Sequence, residues 1–157
     1  MIMIRPTWVS FGGTAAIVTG TSLVLGLDAA GSTRQSIASA LLILALADNL
    51  TDSLSVHAYQ ESARLPEGDA LHSTLFNFAS RLVIALSFVA LALLVPRPLL
   101  APAAGAWGTL LLAALTFWLA REREAHVASE IGKHLMVAAV IVAISRGLGA
   151  WISASLG

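Results

Sequence analysis

Two aspartates, Asp48 and Asp52, stand four residues apart inside an otherwise apolar run from Ile37 to Val56. Four residues is about one helical turn, so on a helix both carboxylates share a face. Ser55 and Tyr59 continue that face, and Asn49, Ser53 and Gln60 widen it. His57 and Glu61, also one turn apart, stand at its far end. Oxygen ligands in a column suit a hard or borderline divalent cation, and a carboxylate also exchanges a proton. The chemistry these residues suggest is ion binding and proton exchange. Asp48 and Asp52 would hold the ion, and His57 and Glu61 would receive it.

The run that carries them is long enough to cross a bilayer, which takes ~20 apolar residues. A carboxylate inside such a helix is costly, and it must face another helix or water. Asp52 has a second possible role. It lies about four residues from the end of its segment, and Arg81 lies about five residues into the next one. At 1.5 Å per residue both are roughly 6–8 Å from the same interface. An Asp52–Arg81 ion pair with a purely structural role is therefore open. Asp48 is a full turn deeper, and no basic residue is expected at its depth.

Five hydrophobic segments would position these groups: about 8–27, 37–63, 76–95, 102–120 and 131–154. Only 11% of the 157 residues are charged, against about 25% in soluble domains, and mean hydropathy is +0.84. That is too little polar surface for a water-facing globule. The expected fold is an all-α membrane protein, a single domain of five transmembrane helices. Asp28-Ala-Ala-Gly-Ser-Thr, Leu65-Pro-Glu-Gly-Asp and Pro96-Arg-Pro-Leu-Leu-Ala-Pro separate the first four segments. The fourth junction, Arg121-Glu-Arg-Glu, has neither Gly nor Pro, so the fourth helix is expected to run on before turning. Arg5, Arg64, Arg81, Arg121, Arg123 and Lys133 fall on the N-terminal side, and Arg34, Arg97 and Arg146 on the other. This bias places the N-terminus in the cytosol and the C-terminus outside. The expected location is a prokaryotic inner (plasma) membrane.

Other features carry less chemistry. Gly12, Ala16 and Gly20 form a small-residue face on the first helix. It suits either packing within the monomer or a homodimer seam. Glu122, His126 and Glu130 would share a face, as a metal site or a solvated stripe, if one helix ran through them. Trp8, Trp118 and Trp151 fit interfacial anchors, with Trp107 and Trp118 near opposite interfaces. Zero net charge without a basic patch argues against nucleic acid. With no cysteine, phosphate loop, nucleophile elbow or zinc-protease pattern, the chain does not read as an enzyme.

Three stretches resemble the vacuolar iron transporter family: Thr21-Ser-Leu-Val-Leu-Gly-Leu-Asp-Ala-Ala-Gly, Leu46-Ala-Asp-Asn-Leu-Thr-Asp-Ser-Leu-Ser-Val-His-Ala-Tyr-Gln-Glu-Ser, and Ile144-Ser-Arg-Gly-Leu-Gly. The resemblance is distant and covers most of the chain. It implies a homodimeric, proton-coupled exporter of cytosolic Fe2+ or Mn2+ with five spans. Asp48 would occupy the position of the family's intramembrane glutamate. Three family features are missing. The aspartate of the first helix falls on Ala15 or its neighbours, the methionine of the second on Val56, and only Glu61 to Ser73 stands where the family has a metal-collecting domain.

The expected function is thus divalent metal transport, with Asp48, Asp52, His57 and Glu61 as the metal residues and no permanently bound cofactor. The expected partners are the lipid bilayer and a second copy through Gly12, Ala16 and Gly20. The alternative is a structural or assembly subunit of a larger membrane complex that kept the fold and lost the ion site.

Overall fold

Apolar runs interrupted by Gly, Pro and charge dictate long helices with short turns, and the computed structural model has that form. It describes residues 6–62 and 67–156, excepting the side chains of 6–11, 61 and 67–70. The order is α1 (Pro6–Ala29), α2 (Arg34–Ile43), a π turn (Leu44–Asp48), α3 (Asn49–Ser62), α4 (Glu67–Leu94), α5 (Arg97–Glu122) and α6 (Val127–Leu156). α2, the π turn and most of α3 make one continuous span, Arg34–Gln60, so five helices are long and apolar enough to cross a membrane. Every helix extends past its apolar run. α4 is the extreme case, beginning at Glu67 and not at Phe76. Apolarity marks the stretch that needs lipid, whereas the helix itself continues until its backbone is capped.

The caps are legible residue by residue. Thr33 Oγ1 accepts the Ser36 N–H at 3.1 Å and starts α2. Pro96 ends the α4 turn and Pro98 sits in the first turn of α5, where a missing N–H costs nothing. α1 ends on Gly31 at φ 73°, with the Ser32 N–H bonded to the Leu27 carbonyl and the Gly31 N–H to the Asp28 carbonyl, both at 3.0 Å. α5 ends the same way on Glu124 at φ 53°, with the Ala125 N–H reaching the Ala120 carbonyl at 2.9 Å. The fourth helix thus turns at Glu124 without Gly or Pro. That turn breaks the Glu122, His126, Glu130 stripe. His126 Nδ1 instead accepts the Ser129 N–H at the start of α6, and Glu130 pairs with Lys133 at 2.8 Å.

α1 is the hub, packed against α4, α5 and α6. Glycines set these crossings. A Cβ at Gly12 would strike Asn77 Oδ1 and lie 2.9 Å from Arg81, and one at Gly20 would lie 2.8 Å from Phe88, both on α4. On α5, Gly108 abuts Thr21, and Gly149 of α6 abuts the Gly26 carbonyl. The face of Gly12, Ala16 and Gly20 is buried inside the monomer. Of the two roles this face suited, the structure shows packing within the monomer: Gly12 and Gly20 close the α1–α4 crossing. Val24, Ile37, Leu41, Phe88 and Leu100 fill the core around the hub. The outer surface is apolar, with Met136, Val140, Ile144, Leu148 and Trp151 exposed along α6. Trp107 is turned inward, donating its indole N–H to Ser87 Oγ at 2.9 Å.

At the end of the bundle that carries the α1–α2 and α4–α5 turns, two arginines tie those turns together. Arg34 donates to the Leu93 and Val95 carbonyls at 2.9 and 2.7 Å. Arg97 pairs with Asp28 and donates to the Ser32 carbonyl at 2.7 Å.

Candidate functional site

The site forms where the π turn meets α4. One extra residue in the turn advances the helix phase by about 100°. On α3, Asn49 and Ser53 face α4 and are buried and Ser55 and Tyr59 are exposed, while Asp48, the last residue of the turn, is half-exposed at the edge of α4. On the α-helix, Asn49, Ser53 and Gln60 stand about 100–140° around the axis from Asp48, so the polar stripe read from the sequence divides in two. Its inner part bonds to α4: Asn49 Nδ2 donates to the Phe78 carbonyl at 3.0 Å, and the Gln60 side chain bonds to Ser73 and Thr74.

Between the two parts lies Arg81, only 6% exposed. Its Nη2 is 2.7 Å from Asp48 Oδ2, and its Nη1 bonds Asp52. The Asp52–Arg81 pair that the sequence left open is present. The expectation that Asp48 has no basic neighbour is corrected: the same guanidinium takes both. The reason is reach. Arg81 lies fourteen residues into α4 and not five. Asp48 and Asp52 are about 6 Å apart along the axis, within the span of a planar fork with two terminal nitrogens. A carboxylate's depth judged from its own backbone position misses this.

Burial differs sharply among the three. The side chain of Asp48 is 51% exposed and that of Asp52 34%, although Arg81 between them is enclosed. Gly12 makes the enclosure possible, because its missing Cβ leaves room for the Arg81 stem and Asn77. Among the described residues Asn49 Oδ1, Asn77 Nδ2, Ser53 Oγ and Arg81 Nε are buried without a hydrogen-bond partner. Asp48, Asn49 and Arg81 also line a cavity of about 10 Å³. That is room for about one water molecule, beside polar atoms that lack partners.

No protein-family model, curated protein or solved structure matches the chain. Function must be argued from the geometry.

That geometry brings Asp48 and Asp52 together on one cation. His57 is half-buried on α3 and does not join them, since no group of three His, Asp or Glu side chains gathers among the described residues. Glu61 stands on α3, and its side chain lies outside the described residues. The sequence reading missed Asn77, which lies one turn before Arg81 in an apolar run. Two polar residues at that spacing on one face of α4 were the available signal for a buried network.

Chemically, the three charged groups sum to one net negative charge. A single proton on either aspartate makes the cluster neutral. Arg81 occupies the Oδ2 atom of each carboxylate, so a divalent ion could engage both aspartates at the remaining oxygens or by replacing the guanidinium's hydrogen bonds. The unpartnered Asn49 Oδ1 is a neutral oxygen of the kind such an ion accepts.

Proposed function

We propose that the protein is an integral membrane carrier of a divalent cation, iron or manganese by the family it resembles. In this reading Arg81 is a tethered counter-cation: it holds Asp48 and Asp52 until the transported ion displaces it. The observation that carries the reading is the fork of Arg81 on two carboxylates at mid-span, with one carboxylate half-exposed. A bridge built only for stability gains nothing from leaving Asp48 open. Ion and guanidinium compete for the charge of the same two carboxylates, and the odd negative charge gives protons a place in the exchange. The five apolar helices and their apolar outer surface support membrane insertion. The basic bias supports a cytosolic N-terminus. The outward face of Asp48 then requires cover from water or a second copy, because lipid contact there would be costly.

The test is Mn2+ or Fe2+ flux into liposomes containing the purified protein. Asp48→Asn should abolish flux and Asp52→Asn should weaken it severely. Undiminished flux in the Asp48→Asn protein rules Asp48 out as the ion's ligand.

A second reading is favoured by the satisfied double ion pair and by the lack of a three-ligand group among the described residues. Here the cluster only joins α3 to α4, and the protein is a non-transporting subunit of a larger membrane complex. Copurification with such a complex, free of metal, distinguishes it from the carrier.

A further inference from the structure

The seam between α5 and α6 has two adjoining cavities that the ion site does not use. One, of about 170 Å³, lies beside the Glu124 turn and is lined by Thr116, Arg123, Glu130 and His134. The other, of about 350 Å³, lies deeper against α1 and is lined by apolar and small residues, among them Leu112, Ala138 and Val142. Thr116 to Leu112 is one turn of α5, and His134 to Ala138 is one turn of α6. The two cavities therefore follow each other along one seam, polar at the turn and apolar within.

The packing explains the opening. Gly149 is the buried residue of α6, seated on Gly26 near the far end of the bundle. Toward the Glu124 turn, Gly105, Ala138 and Ala139 leave the wall recessed. The two hydroxyls in the lining, Thr21 and Thr109, donate to the Ile17 and Gly105 carbonyls, so ordered water finds few partners there. In a bundle whose surroundings are lipid, hydrocarbon fills the space. At the polar mouth Glu130 is paired with Lys133 at 2.8 Å, which offsets its charge, and Arg123 is the further cation in the lining, close enough to act on Glu130 as well.

We propose that this seam binds one anionic phospholipid from the surrounding bilayer, its phosphate at Arg123 and one acyl chain in the cavity beside Ala138. The proposal rests on the bundle lying in a membrane. It is independent of ion transport, because its readout is lipid retention.

Native mass spectrometry of detergent-purified protein exchanged with phosphatidylglycerol or phosphatidylcholine tests it. Wild-type protein should retain one phosphatidylglycerol per chain in preference to phosphatidylcholine. Arg123→Gln should cut that preference about fivefold, the worth of one basic residue at an anionic surface. Ala138→Phe, which fills the apolar cavity, should abolish retention. Leu135→Trp on the same lining serves if the first filled variant does not fold. Equal retention of the two lipids by the wild type overturns the proposal, as does retention of phosphatidylglycerol unchanged in Arg123→Gln and either filled variant. Protection from heating by inorganic phosphate equal to that by phosphatidylglycerol would reduce the site to an ion contact and also overturn it.

Discussion

Arg81 Nη2 lies 2.7 Å from Asp48 Oδ2, and the same guanidinium holds Asp52 one turn away. A planar fork with two terminal nitrogens suits this spacing. Lysine has the charge but presents it at a point, so Arg81→Lys should keep one aspartate and release the other. Arg81→Gln removes the cation and leaves two carboxylates facing each other. Loss of one partner from a buried ion pair costs about 3–5 kcal/mol, with a smaller effect here because both aspartates are partly open. The informative measurement is thermal unfolding of Arg81→Gln with and without Mn2+. If Arg81 stands in for a transported ion, Mn2+ should restore much of the lost stability in the variant and do little for the wild type. Equal effects in both proteins would leave Arg81 as a structural bridge.

Gly12 should be among the least tolerant positions of α1. A Cβ there would strike Asn77 Oδ1 and lie 2.9 Å from the Arg81 stem, so the network must shift to admit it. Gly12→Ala should destabilise the protein by about 1–3 kcal/mol, the usual cost of overpacking. It should also weaken ion binding by shifting Arg81. Gly147 of α6 is the control, since a Cβ there meets nothing within 4 Å. Gly147→Ala should leave unfolding unchanged or raise it slightly, as alanine is the better helix former. Matched melting curves of the two variants check both statements.

The five helices were legible because apolar length and breakers report directly on membrane-length segments. Helix ends were less so: Glu67 to Leu75 has no apolar run, yet it is helical because α4 continues to the next cap. The Asp52–Arg81 pair followed from similar depth alone. Its extension to Asp48 did not, because rise per residue locates backbones and ignores the reach of an arginine. The small-residue face of α1 was visible as a close-packing surface, but its partner was not. Glycine spacing says that a helix will approach, not whether that helix belongs to the same chain. The π turn left no local signature, since Leu44-Ala-Leu-Ala-Asp48 carries neither Gly nor Pro. Its effect, the change of phase between α2 and α3, was therefore invisible as well.

Asn49 follows that π turn, and its Nδ2 donates to the Phe78 carbonyl at 3.0 Å. The residue is 2% exposed, and its Oδ1 has no partner among the described residues. Asn49→Leu removes both polar atoms and should cost little stability, since one lost hydrogen bond of about 1 kcal/mol is offset by relief of an unsatisfied group. Asn49→Asp places a third carboxylate beside Asp48. It should destabilise the protein in metal-free buffer and raise divalent-ion affinity if the cluster binds ions. Unfolding and Mn2+ titration of the two variants separate a packing role from a ligand role, because only a ligand oxygen makes Asn49→Leu weaken binding while the fold holds.

Gly31 and Glu124 end two helices with the same left-handed turn, and only one of them is glycine. A left-handed residue with a Cβ costs roughly 1–2 kcal/mol relative to its right-handed conformation. Glycine escapes most of that cost. Gly31→Ala should therefore lower stability by about 1 kcal/mol, and the cavity around it is not the cause, as the nearest atom to a new Cβ is 3.9 Å away. Glu124→Gly should act in the opposite direction and raise stability by up to about 1 kcal/mol. The two substitutions lie at opposite ends of the bundle and share no contact, so their effects should add in the double variant. Chemical denaturation of the four proteins measures this directly. A loss of stability in Glu124→Gly would mean that the glutamate side chain supports the turn through a contact worth more than the strain it carries.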